Sequence, residues 1–524
     1  MPLFTGIIRS LDKSRFSSAT ATNSVTWTSE DPYLLIRDFD DSAKTKPSKP
    51  PQRIYLDDIL NIRKVNPTAA PGQSGPAFDL VMYPIVNGKR VRRTARIMGG
   101  GVDEFEKELR VATRATEAPH LPQNSGNRRI LLMLNPFSGQ RKAMNLYESH
   151  VKPIFEDIGC DYELLCTKHA NHATEIAKSL DLDAYSMIAI LSGDGLVNEV
   201  LTGLICHPNQ ARALKMPILH IPGGTGNALA ASVAFKSGES FSPRGGFVPE
   251  MALMATNPAY YKLSLGHFEG ADDGHKVMFL SAVWGLMADI DIGSERFRWA
   301  GMIRLHMEAF IRIVQLPSVA KYKGRISYKP VTDDKLLAKT RLKWNAARKA
   351  FGKGHFEGGV VAPLPDLEVH LPGKPVDSVK TAFSGHEDTS TPSLSSPVPS
   401  DWITLDSEYV YIVVSSLSHL GSDVPYLPSC KMEDEVLFLS LVDWRVVQSR
   451  YQIARMFIDM DICSHLDYTC LHIIPVHACR IEPAAGTGGY VAVDGEPCTT
   501  GTTFQVATSK LGATVVGRKL RDEN

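Results

Sequence analysis

The sequence predicts an α/β domain with a mostly parallel sheet, followed by an antiparallel β-sandwich and preceded by a smaller β-rich region. From Arg129 onward, apolar strand patterns such as ILLMLN, MIAILSG and PILHIP alternate with helical patterns. Repeated β-α units with apolar strands indicate parallel strands that are covered on both faces. Beyond about residue 245, longer β-rich segments surround one helical stretch from Trp299 to Leu316, which is typical of an antiparallel sheet or sandwich.

The first 122 residues alternate short β-rich runs with turns rich in Pro, Gly and Ser, and they end on a helical pattern. Asp103 is placed to cap that helix, with Glu106 reaching back to it. Strands followed by one C-terminal helix resemble a pleckstrin-homology-like module. One strand edge of this region is basic, through Lys89, Arg90, Arg92, Arg93 and Arg96. Such an edge suits phosphoinositides, but an ordinary solvated face is the preferred interpretation.

Composition excludes several classes of protein. Lys+Arg and Asp+Glu balance at 57 each, so no global field recruits a nucleic acid polymer. The eight cysteines show no metal-ligand spacing, which is typical of a reducing compartment. No signal peptide is evident, and the longest apolar run, Val277 to Ala288, is too short to cross a bilayer. The sequence therefore predicts a cytoplasmic protein whose association with membranes is peripheral.

These patterns divide the chain into four parts. The β-rich region is predicted over 1–122 and the α/β domain over 126–245. The β-sandwich is predicted over 246–330 and 402–520, and a flexible insert is predicted over 331–401.

The insert is predicted to be exposed and disordered because residues 372–400 are rich in Ser, Thr and Pro and poor in core-forming residues. Its Thr391-Pro392 and Ser396-Pro397 pairs are predicted targets of proline-directed kinases. The start of the insert is basic and has three large apolar residues at helical spacing, Leu337, Trp344 and Phe351. A membrane-surface or calmodulin-target helix would have this pattern, although a solvated loop is the preferred interpretation.

Three turns that follow strands of the α/β domain combine glycine with small polar residues. They are NPFSG at 135–139, SGDG at 192–195 and PGGTGN at 222–227. Glycine lets backbone N–H groups crowd around phosphate oxygens, and the helix that follows each turn adds a favourable dipole. A single such turn is weak evidence, since any βα loop can need glycine. Three turns at one sheet edge predict a nucleotide cradle, although none matches the P-loop pattern.

Five ordered blocks resemble the sphingosine kinase family, within the diacylglycerol kinase catalytic superfamily. The blocks are NPFSG, SGDGLVNEVLTGL, PGGTGNALAAS, WGLMADIDIGSERFRWAGMIR and VDGEP. The resemblance implies ATP-dependent phosphorylation of the primary hydroxyl of a sphingoid long-chain base (sphingosine, dihydrosphingosine or phytosphingosine), with Mg²⁺. It also implies that 126–245 is a diacylglycerol-kinase-type catalytic domain and that catalysis occurs in a cleft beside the lipid-binding sandwich.

The resemblance implies that Asp194 is the catalytic base, since phosphoryl transfer needs a carboxylate near the attacking hydroxyl. A helix-capping carboxylate is the structural alternative for this Asp-Gly pair. Asp494 is implied as a metal ligand, because hard cations take oxygen ligands. An ordinary first-turn role is the alternative for Glu199. The implied nucleotide contacts are Asn135, Ser138, Gly139, Thr167, Ser192, Gly193, Gly195, Glu199, Gly223, Gly224, Thr225, Gly226, Asn227, Arg298, Arg304, Asp494, Gly495 and Glu496.

The resemblance places the lipid substrate at Asp291, whose carboxylate would pair with the ammonium of a sphingoid base. Ser281 and Asp289 are implied as further substrate contacts. Ile303, Met307 and Phe310 are further candidate substrate contacts, because with Val314 they form an apolar helical face. Core is the preferred interpretation of this face, and an acyl-chain wall is the alternative that stays open.

Two other functions stay open on the sequence. A ceramide or diacylglycerol kinase shares the nucleotide blocks, but Asp291 argues against a substrate without a free amine. A catalytically silent lipid-binding scaffold would have no need of the acidic residues in SGDG and VDGE.

Overall fold

A computed structural model describes most of the chain. The described residues are 4–10, 23–28, 31–38, 52–65, 77–86, 89–113, 129–136, 142–239, 247–256, 258–300, 303–315, 322–333, 378–384, 386 and 391–519. Within these ranges, no helix is long and apolar enough to span a membrane.

The N-terminal part is an antiparallel sheet covered by one helix. Its strands are β1 (Phe4–Ser10), β2 (Asn23–Trp27), β3 (Tyr33–Asp38), β4 (Gln52–Tyr55), β5 (Ile59–Lys64), β6 (Ala77–Met82) and β9 (Arg93–Met98), with a small hairpin of β7 (Ile85–Val86) and β8 (Lys89–Arg90) and a 3₁₀ turn at Leu56–Asp58. The main sheet has the order β4-β3-β2-β1-β9-β6-β5. Helix α1 (Val102–Thr113) packs Phe105 against the rings of Trp27 and Phe78 in a core of its own.

The next part is an α/β layer whose strands are buried along their whole length, apart from β11. Strands β10 (Ile130–Leu134), β11 (Tyr162–Cys166), β12 (Met187–Ser192) and β13 (Pro217–Pro222) pair in parallel in the order β11-β10-β12-β13. The helices are α2 (Ala143–Leu146), a π-helical turn (Tyr147–Val151), α3 (Lys152–Ile158), α4 (His172–Lys178), α5 (Asp194–Ile205), α6 (Gln210–Ala213), α7 (Ala228–Lys236), α8 (Val248–Ala252) and a 3₁₀ turn at Leu253–Ala255. Apolar strands of this kind are stable only between helices.

The remaining strands are mainly antiparallel. They are β14 (Ala259–Gly270), β15 (Gly274–Met278), β16 (Ser281–Gly285), β17 (Tyr322–Pro330), β18 (Ile403–Ser415), β19 (Leu437–Asp443), β20 (Leu471–Pro483), β21 (Val491–Val493), β22 (Glu496–Cys498) and β23 (Phe504–Gly517). The helices are α9 (Leu286–Gly293), α10 (Ile303–Gln315), α11 (Ser378–Phe383) and α12 (Arg450–Ile458), with 3₁₀ segments at Ser294–Ala300, Trp444–Val446, Asp459–Ile462 and Ser464–Asp467.

The last strand joins the two halves. Strand β23 pairs in parallel with β13, where Pro217 lies opposite Thr514, and it pairs antiparallel with β14 and β20. Strands β17, β18, β19 and β20 also close a ring, because one half of β18 and of β20 pairs with β17 and the other half pairs with β19. The mixed α/β class is confirmed. The strands from β10 onward form one hydrogen-bonded sheet, and the division into a parallel sheet and a separate sandwich stays a prediction.

The predicted flexible insert is partly corrected. Helix α11 lies within the predicted insert, and its Phe383 is buried in the core of the α/β layer. In residues 391–400, the Arg480 guanidinium donates to the carbonyl oxygens of Ser396 (2.7 Å) and Ser393 (3.0 Å), and Gln505 donates to Pro392 O (2.7 Å). This stretch is therefore anchored by buried donors. The basic helical pattern at 337–351 lies outside the described residues.

The basic strand edge of the N-terminal part is also corrected in part. The Arg90 side chain is only 1% exposed, and Arg92 pairs with Asp157 of α3 through two hydrogen bonds of 2.6 and 2.9 Å. Arg63 and the Tyr83 hydroxyl also donate to the Asp157 carboxylate, each at 3.0 Å. Arg90 is therefore buried instead of solvated, whereas Arg92 pairs with the α/β layer and stays exposed.

Candidate functional site

Two of the predicted glycine turns touch each other at the carboxyl ends of β12 and β13. A Cβ atom on Gly224 would lie 2.9 Å from the backbone nitrogen of Gly193 and closer still to its Cα. Position 224 therefore needs glycine, whereas a Cβ on Gly193 would approach the Gly224 Cα only to 3.3 Å. Ser192 is buried at the end of β12, and Gly223 donates its N–H to the Ser192 carbonyl oxygen (2.9 Å).

The PGGTGN turn is held by its own asparagine. Asn227 adopts a left-handed backbone with φ 56°, and its side chain accepts from Gly224 N–H (2.9 Å) and donates to Gly224 O (2.8 Å). Thr225 and Gly226 lie half-buried between these residues. The loop is thus preformed immediately before α7. The first turn is seen only in part, since Asn135 is described and half-buried while Ser138 and Gly139 lie outside the described residues.

Asp194 is the first residue of α5, and its carboxylate caps a different helix. Its Oδ2 accepts the Ala228 N–H (2.8 Å) and its Oδ1 accepts the Leu229 N–H (3.1 Å), both from the first turn of α7. The side chain of His220 places Nδ1 3.9 Å from Asp194 Oδ1. Burial lowers the pKa of His220, so this neighbour is neutral near pH 7. The predicted base is therefore a carboxylate of fixed orientation. Each of its oxygens accepts one backbone hydrogen bond and has a second lone pair that these two bonds do not use.

Glu199, on the same helix, likewise holds the helix beside it. Its Oε2 accepts the Ala173 N–H (3.2 Å) at the start of α4, and its carbonyl oxygen accepts from the Thr174 hydroxyl (2.9 Å). Burial raises the pKa of Glu199. Glu199 thus fixes the loop after β11, which begins at the buried Thr167. Both hydrogen bonds of Glu199 connect α5 to α4, and such a contact between helices is not visible in the local sequence pattern.

Asp494 lies in the turn between β21 and β22 and is almost completely enclosed. Its Oδ1 accepts from Leu280 N–H and Ser281 N–H (both 2.9 Å), and its Oδ2 accepts from Phe279 N–H (3.0 Å) and the Asn198 amide (2.8 Å). Burial nevertheless raises the pKa of Asp494 to about 6. Four donors occupy the lone pairs of this carboxylate. The prediction of Asp494 as a metal ligand is therefore corrected: the residue joins the turn to the start of β16.

Glu496 has the opposite surroundings. It is exposed, and its Oε1 lies 2.9 Å from where a Cβ on Gly195 would be. Burial is the main cause of the raised pKa of Glu199 and of Asp291, and the Glu496 charge adds to both, so these three carboxylates lie within electrostatic reach of one another. Among the described residues, no side chain pairs with the Glu496 carboxylate. Gly495, at φ 83°, forms the turn that presents it.

Asp291 and Asp289 differ sharply although they lie two residues apart on α9. Asp291 is half-buried, and burial raises the pKa of its carboxyl to about 6 while the nearby Arg304 opposes the rise. Asp289 is buried and accepts from Arg312 (3.1 Å), the Tyr322 hydroxyl (2.8 Å) and Tyr490 N–H (2.7 Å). The prediction that Asp289 shares the substrate contact is therefore corrected, since its oxygens are already engaged.

The remaining predicted residues lie on β16 and around the start of α10. Ser281 is buried at the start of β16, where its N–H binds Asp494. Arg304 is 7% exposed and forms an ion pair with the Glu295 carboxylate. Arg298 lies in the 3₁₀ segment before α10, and its side chain and that of Ile303 lie outside the description.

Helix α10 turns its charges inward and several apolar side chains outward. Glu308 is fully buried, whereas Phe310 is 71% exposed, Val314 is 50% exposed and Met307 is half-buried. The preferred interpretation of this face as core is therefore wrong for Phe310 and Val314, and its alternative role as a substrate contact stays a prediction. The buried Glu308 accepts from Arg296 (2.6 Å) and Arg312 (2.8 Å), a network that sequence reasoning missed. Its one linear signal is the i,i+4 spacing of Arg304, Glu308 and Arg312.

One group of metal-ligating side chains stands out among the described residues. The ligand atoms of His169, His172 and Glu175 lie within 4.8 Å of one another, at the start of α4. Imidazole donors suit Zn²⁺ rather than Mg²⁺. This group therefore does not fit the metal that accompanies a nucleotide.

Known proteins resemble this chain in the same regions. Residues 129–242 match the family described as diacylglycerol kinase catalytic domain. The chain is 30% identical over 371 residues to human sphingosine kinase 1, covering 70% of this chain and 85% of that protein. It is 31% identical over 393 residues to sphingosine kinase 1 of Caenorhabditis elegans, covering 73% of this chain and 80% of that protein. A crystal structure of a diacylglycerol kinase from Bacillus anthracis strain Sterne has a TM-score of 0.40 at 14% identity, covering 75% of this chain and 97% of that one.

Proposed function

The chain belongs to the sphingosine kinase family, and we propose that it transfers the γ-phosphate of ATP to the primary hydroxyl of a sphingoid long-chain base. The observation that carries the proposal is the convergence of three distant segments. Asp194 and the glycine turns, Asp291 on α9, and Glu496 in the β21–β22 turn meet at one edge of the sheet. This edge is where α/β proteins bind ligands.

In the proposed reaction, the substrate hydroxyl oxygen forms a bond to the γ-phosphorus and the bond from that phosphorus to the β–γ bridging oxygen breaks. ADP leaves, and the hydroxyl proton passes to the Asp194 carboxylate. The transition state is loose and asks for positioning and charge stabilisation more than for covalent chemistry. Two backbone N–H groups fix the Asp194 oxygens, which supports a base of constant orientation.

The phosphates of ATP are assigned to the loops at 192–195 and 222–227 and to Arg304. The contact between the two loops, and the Asn227 hydrogen bonds within the second, support a preformed phosphate site. Arg304 is held by Glu295 close to Asp291, which supports a role in holding transferring charge beside the lipid hydroxyl. Arg298 is proposed as its companion on the strength of the sequence block alone.

ATP reacts as its Mg²⁺ complex, and the ion supplies charge neutralisation on the phosphate oxygens. Glu496 fits such an ion, because its carboxylate is exposed and uncommitted beside Gly195. Asp494 would act behind it by fixing the turn through its four hydrogen bonds.

Recognition of the lipid is assigned to Asp291. A half-buried carboxylate next to the phosphate-transfer site suits an ammonium two bonds away from the reacting hydroxyl carbon. Ceramide and diacylglycerol lack that charge, so they are expected to be poor substrates.

The proposal also assigns roles to the two parts of the fold that flank the α/β layer and to a surface that contacts a membrane. The antiparallel strands after β13 would form the lipid-binding part, and the N-terminal sheet with α1 would be a pleckstrin-homology-like module. Peripheral contact with a membrane from the cytoplasm is supported by the exposed apolar side chains of two neighbouring helices. These are Phe310 and Val314 on α10 and Tyr451 and Ile458 on α12, where Arg450 donates to Val314 O (2.8 Å).

The test is a kinase assay on purified full-length protein. Labelled ATP and Mg²⁺ are incubated with sphingosine, dihydrosphingosine, phytosphingosine, ceramide and diacylglycerol in mixed micelles. Phosphorylation of the three free bases, with ceramide and diacylglycerol far slower, is the expected result. Equal rates on ceramide or diacylglycerol would replace the proposal with a broader lipid kinase, and no transfer to any lipid would favour a silent scaffold.

A further inference from the structure

The N-terminal sheet is joined to the α/β layer by a buried group of charges centred on Arg90. The Arg90 guanidinium donates twice to Glu239 (2.8 and 2.9 Å), once to Tyr83 O (2.9 Å) and also to the Asp58 carboxylate. The side chains of Arg90, Asp58 and Glu239 are 1%, 2% and 3% exposed. The Arg90 N–H further donates to Glu250 on α8 (3.3 Å). Both hydrogen bonds to Glu239 come from Nη2, whereas Nη1 donates to Asp58 and Tyr83 O, so the two ends of one desolvated guanidinium connect the two parts of the fold.

Glu239 is rigidly attached to the end of α7. The helix ends at Lys236, Gly238 takes the left-handed backbone with φ 63°, and the Glu239 N–H returns to Ala234 O (3.0 Å). This pattern is a Schellman-type helix end. A second anchor comes from the end of β23, where Arg518 donates to the Glu239 carboxylate (3.2 Å) and, through its N–H, to the Ser237 hydroxyl (2.9 Å). The C-terminal end of α7 is therefore held by the Glu239 carboxylate.

The other end of α7 is the candidate catalytic site. Its first two N–H groups are those that hold Asp194, and the PGGTGN turn leads directly into it. The helix has nine residues, so its two ends lie roughly 14 Å apart. Its sequence, ALAASVAFK, consists mainly of small residues, and residues 228–234 are all buried. Close packing therefore holds α7 on every side, and the groups at its two ends add directional hydrogen bonds to that packing.

We propose that Arg90 is a positioning residue for the kinase site: by clamping Glu239 it fixes α7, and α7 fixes Asp194 and the PGGTGN turn. The N-terminal sheet is then an integral brace of the catalytic core rather than a detachable membrane-recruitment module. The kinetic part of this proposal rests on the proposed function, whereas its structural part does not.

The test compares Arg90→Met with a matched control, Arg96→Met, in the full-length protein. Arg96 also makes two hydrogen bonds to one carboxylate, that of Asp79, at 2.7 and 2.9 Å, but this pair lies wholly within the N-terminal sheet. Hydrogen exchange is followed in the peptide that contains Ala228 and Leu229. We expect these two amides to exchange about tenfold faster or more in Arg90→Met and to be unchanged in Arg96→Met.

Kinetics supply the second readout. A displaced α7 should lower kcat by about 10- to 100-fold in Arg90→Met, while KM for sphingosine changes by less than about threefold, because Asp291 lies on another element. Arg90→Lys keeps the positive charge, but one ammonium nitrogen cannot reach Glu239 and Asp58 as the two guanidinium nitrogens do, so it should fall between the wild type and Arg90→Met in both readouts. It also serves if Arg90→Met does not fold.

Three results decide the matter. Folded Arg90→Met with the exchange and kcat of Arg96→Met would overturn the proposal. If Arg90→Met is unfolded, wild-type exchange at Ala228 and Leu229 in Arg90→Lys would overturn it. A wild type that phosphorylates no sphingoid base would contradict the proposed function alone, because the comparison of hydrogen exchange between Arg90→Met and Arg96→Met needs no activity.

Discussion

The Asp194 carboxylate accepts a hydrogen bond from the Ala228 N–H at 2.8 Å, although the two residues begin different helices. The same carboxylate is thus both a helix cap for α7 and the candidate base. One substitution should therefore affect stability and chemistry by different amounts, which makes the two roles separable.

We expect Asp194→Asn to lower kcat by about 100-fold or more, since an amide cannot accept the hydroxyl proton. The amide oxygen still accepts one of the two N–H groups, but the amide NH₂ faces the other, so the free energy of unfolding should fall by about 1–3 kcal/mol. Steady-state kinetics with sphingosine and thermal unfolding measure both effects. Asp183→Asn, at an exposed surface ion pair, is the control. Near-normal turnover in Asp194→Asn would remove this residue from the mechanism.

Asp291→Asn should impair lipid recognition and leave ATP recognition intact. Loss of one partner of a partly buried ion pair corresponds to a fall in kcat/KM for sphingosine of about 30-fold to several thousand-fold. KM for ATP should hardly change. Asp289→Asn is the control, because Asp289 binds Arg312, Tyr322 and the Tyr490 backbone and should lower thermal stability rather than lipid recognition. A normal kcat/KM for sphingosine in Asp291→Asn would rule out amine recognition by this residue.

The pKa of Asp291 predicts a pH dependence. Burial raises this pKa to about 6, so the carboxyl is ionised above that pH and becomes protonated below it. Only the ionised form pairs with an ammonium, and kcat/KM for sphingosine should therefore fall as the pH drops through about 6. The profile is measured from pH 5 to 8 at saturating ATP. Asp291→Asn should lose this acidic limb, and a variant that keeps it would assign the limb to another group.

Asp494 and Glu496 should respond differently although they share one turn. Asp494→Asn places an NH₂ group against backbone donors, and one unsatisfied buried donor should cost about 1–3 kcal/mol of stability. Glu496→Gln is exposed and should leave the unfolding temperature unchanged while raising the Mg²⁺ concentration needed for half-maximal velocity at least about threefold. Unchanged Mg²⁺ dependence in Glu496→Gln would assign the ion to other oxygens.

Gly224→Ala should disrupt the nucleotide site. Its new Cβ would meet the backbone of Gly193, which cannot move away as a flexible side chain would, so the two loops must separate. We expect ATP affinity to fall at least about tenfold, since the loops no longer present their N–H groups together. Gly488→Ala, where a Cβ meets nothing within 4 Å, is the control. Binding of a fluorescent ATP analogue compares the two, and equal affinity would show that the loops need no close contact.

The sequence by itself determined the elements that depend on local pattern. Apolar β-α repeats are visible because buried parallel strands must be apolar throughout, and the glycine turns are visible because close backbone contact tolerates no side chain. Family motifs further selected Asp194, Asp291 and Glu496. These features lie within short windows of the chain, which is why a linear reading could recover them.

Only the tertiary structure decided which carboxylates are free. Asp289 and Asp291 are equivalent in the sequence, but the first is enclosed by Arg312 and Tyr322, while the second is half-buried and its carboxylate has no hydrogen-bond partner among the described residues. The Asp494 carboxylate accepts hydrogen bonds from residues more than two hundred positions away in the sequence. Arg90 is buried against Glu239, which belongs to another part of the fold. A carboxylate or guanidinium is available for chemistry only if its long-range neighbours leave it unpaired, and those neighbours are assigned by packing rather than by local pattern.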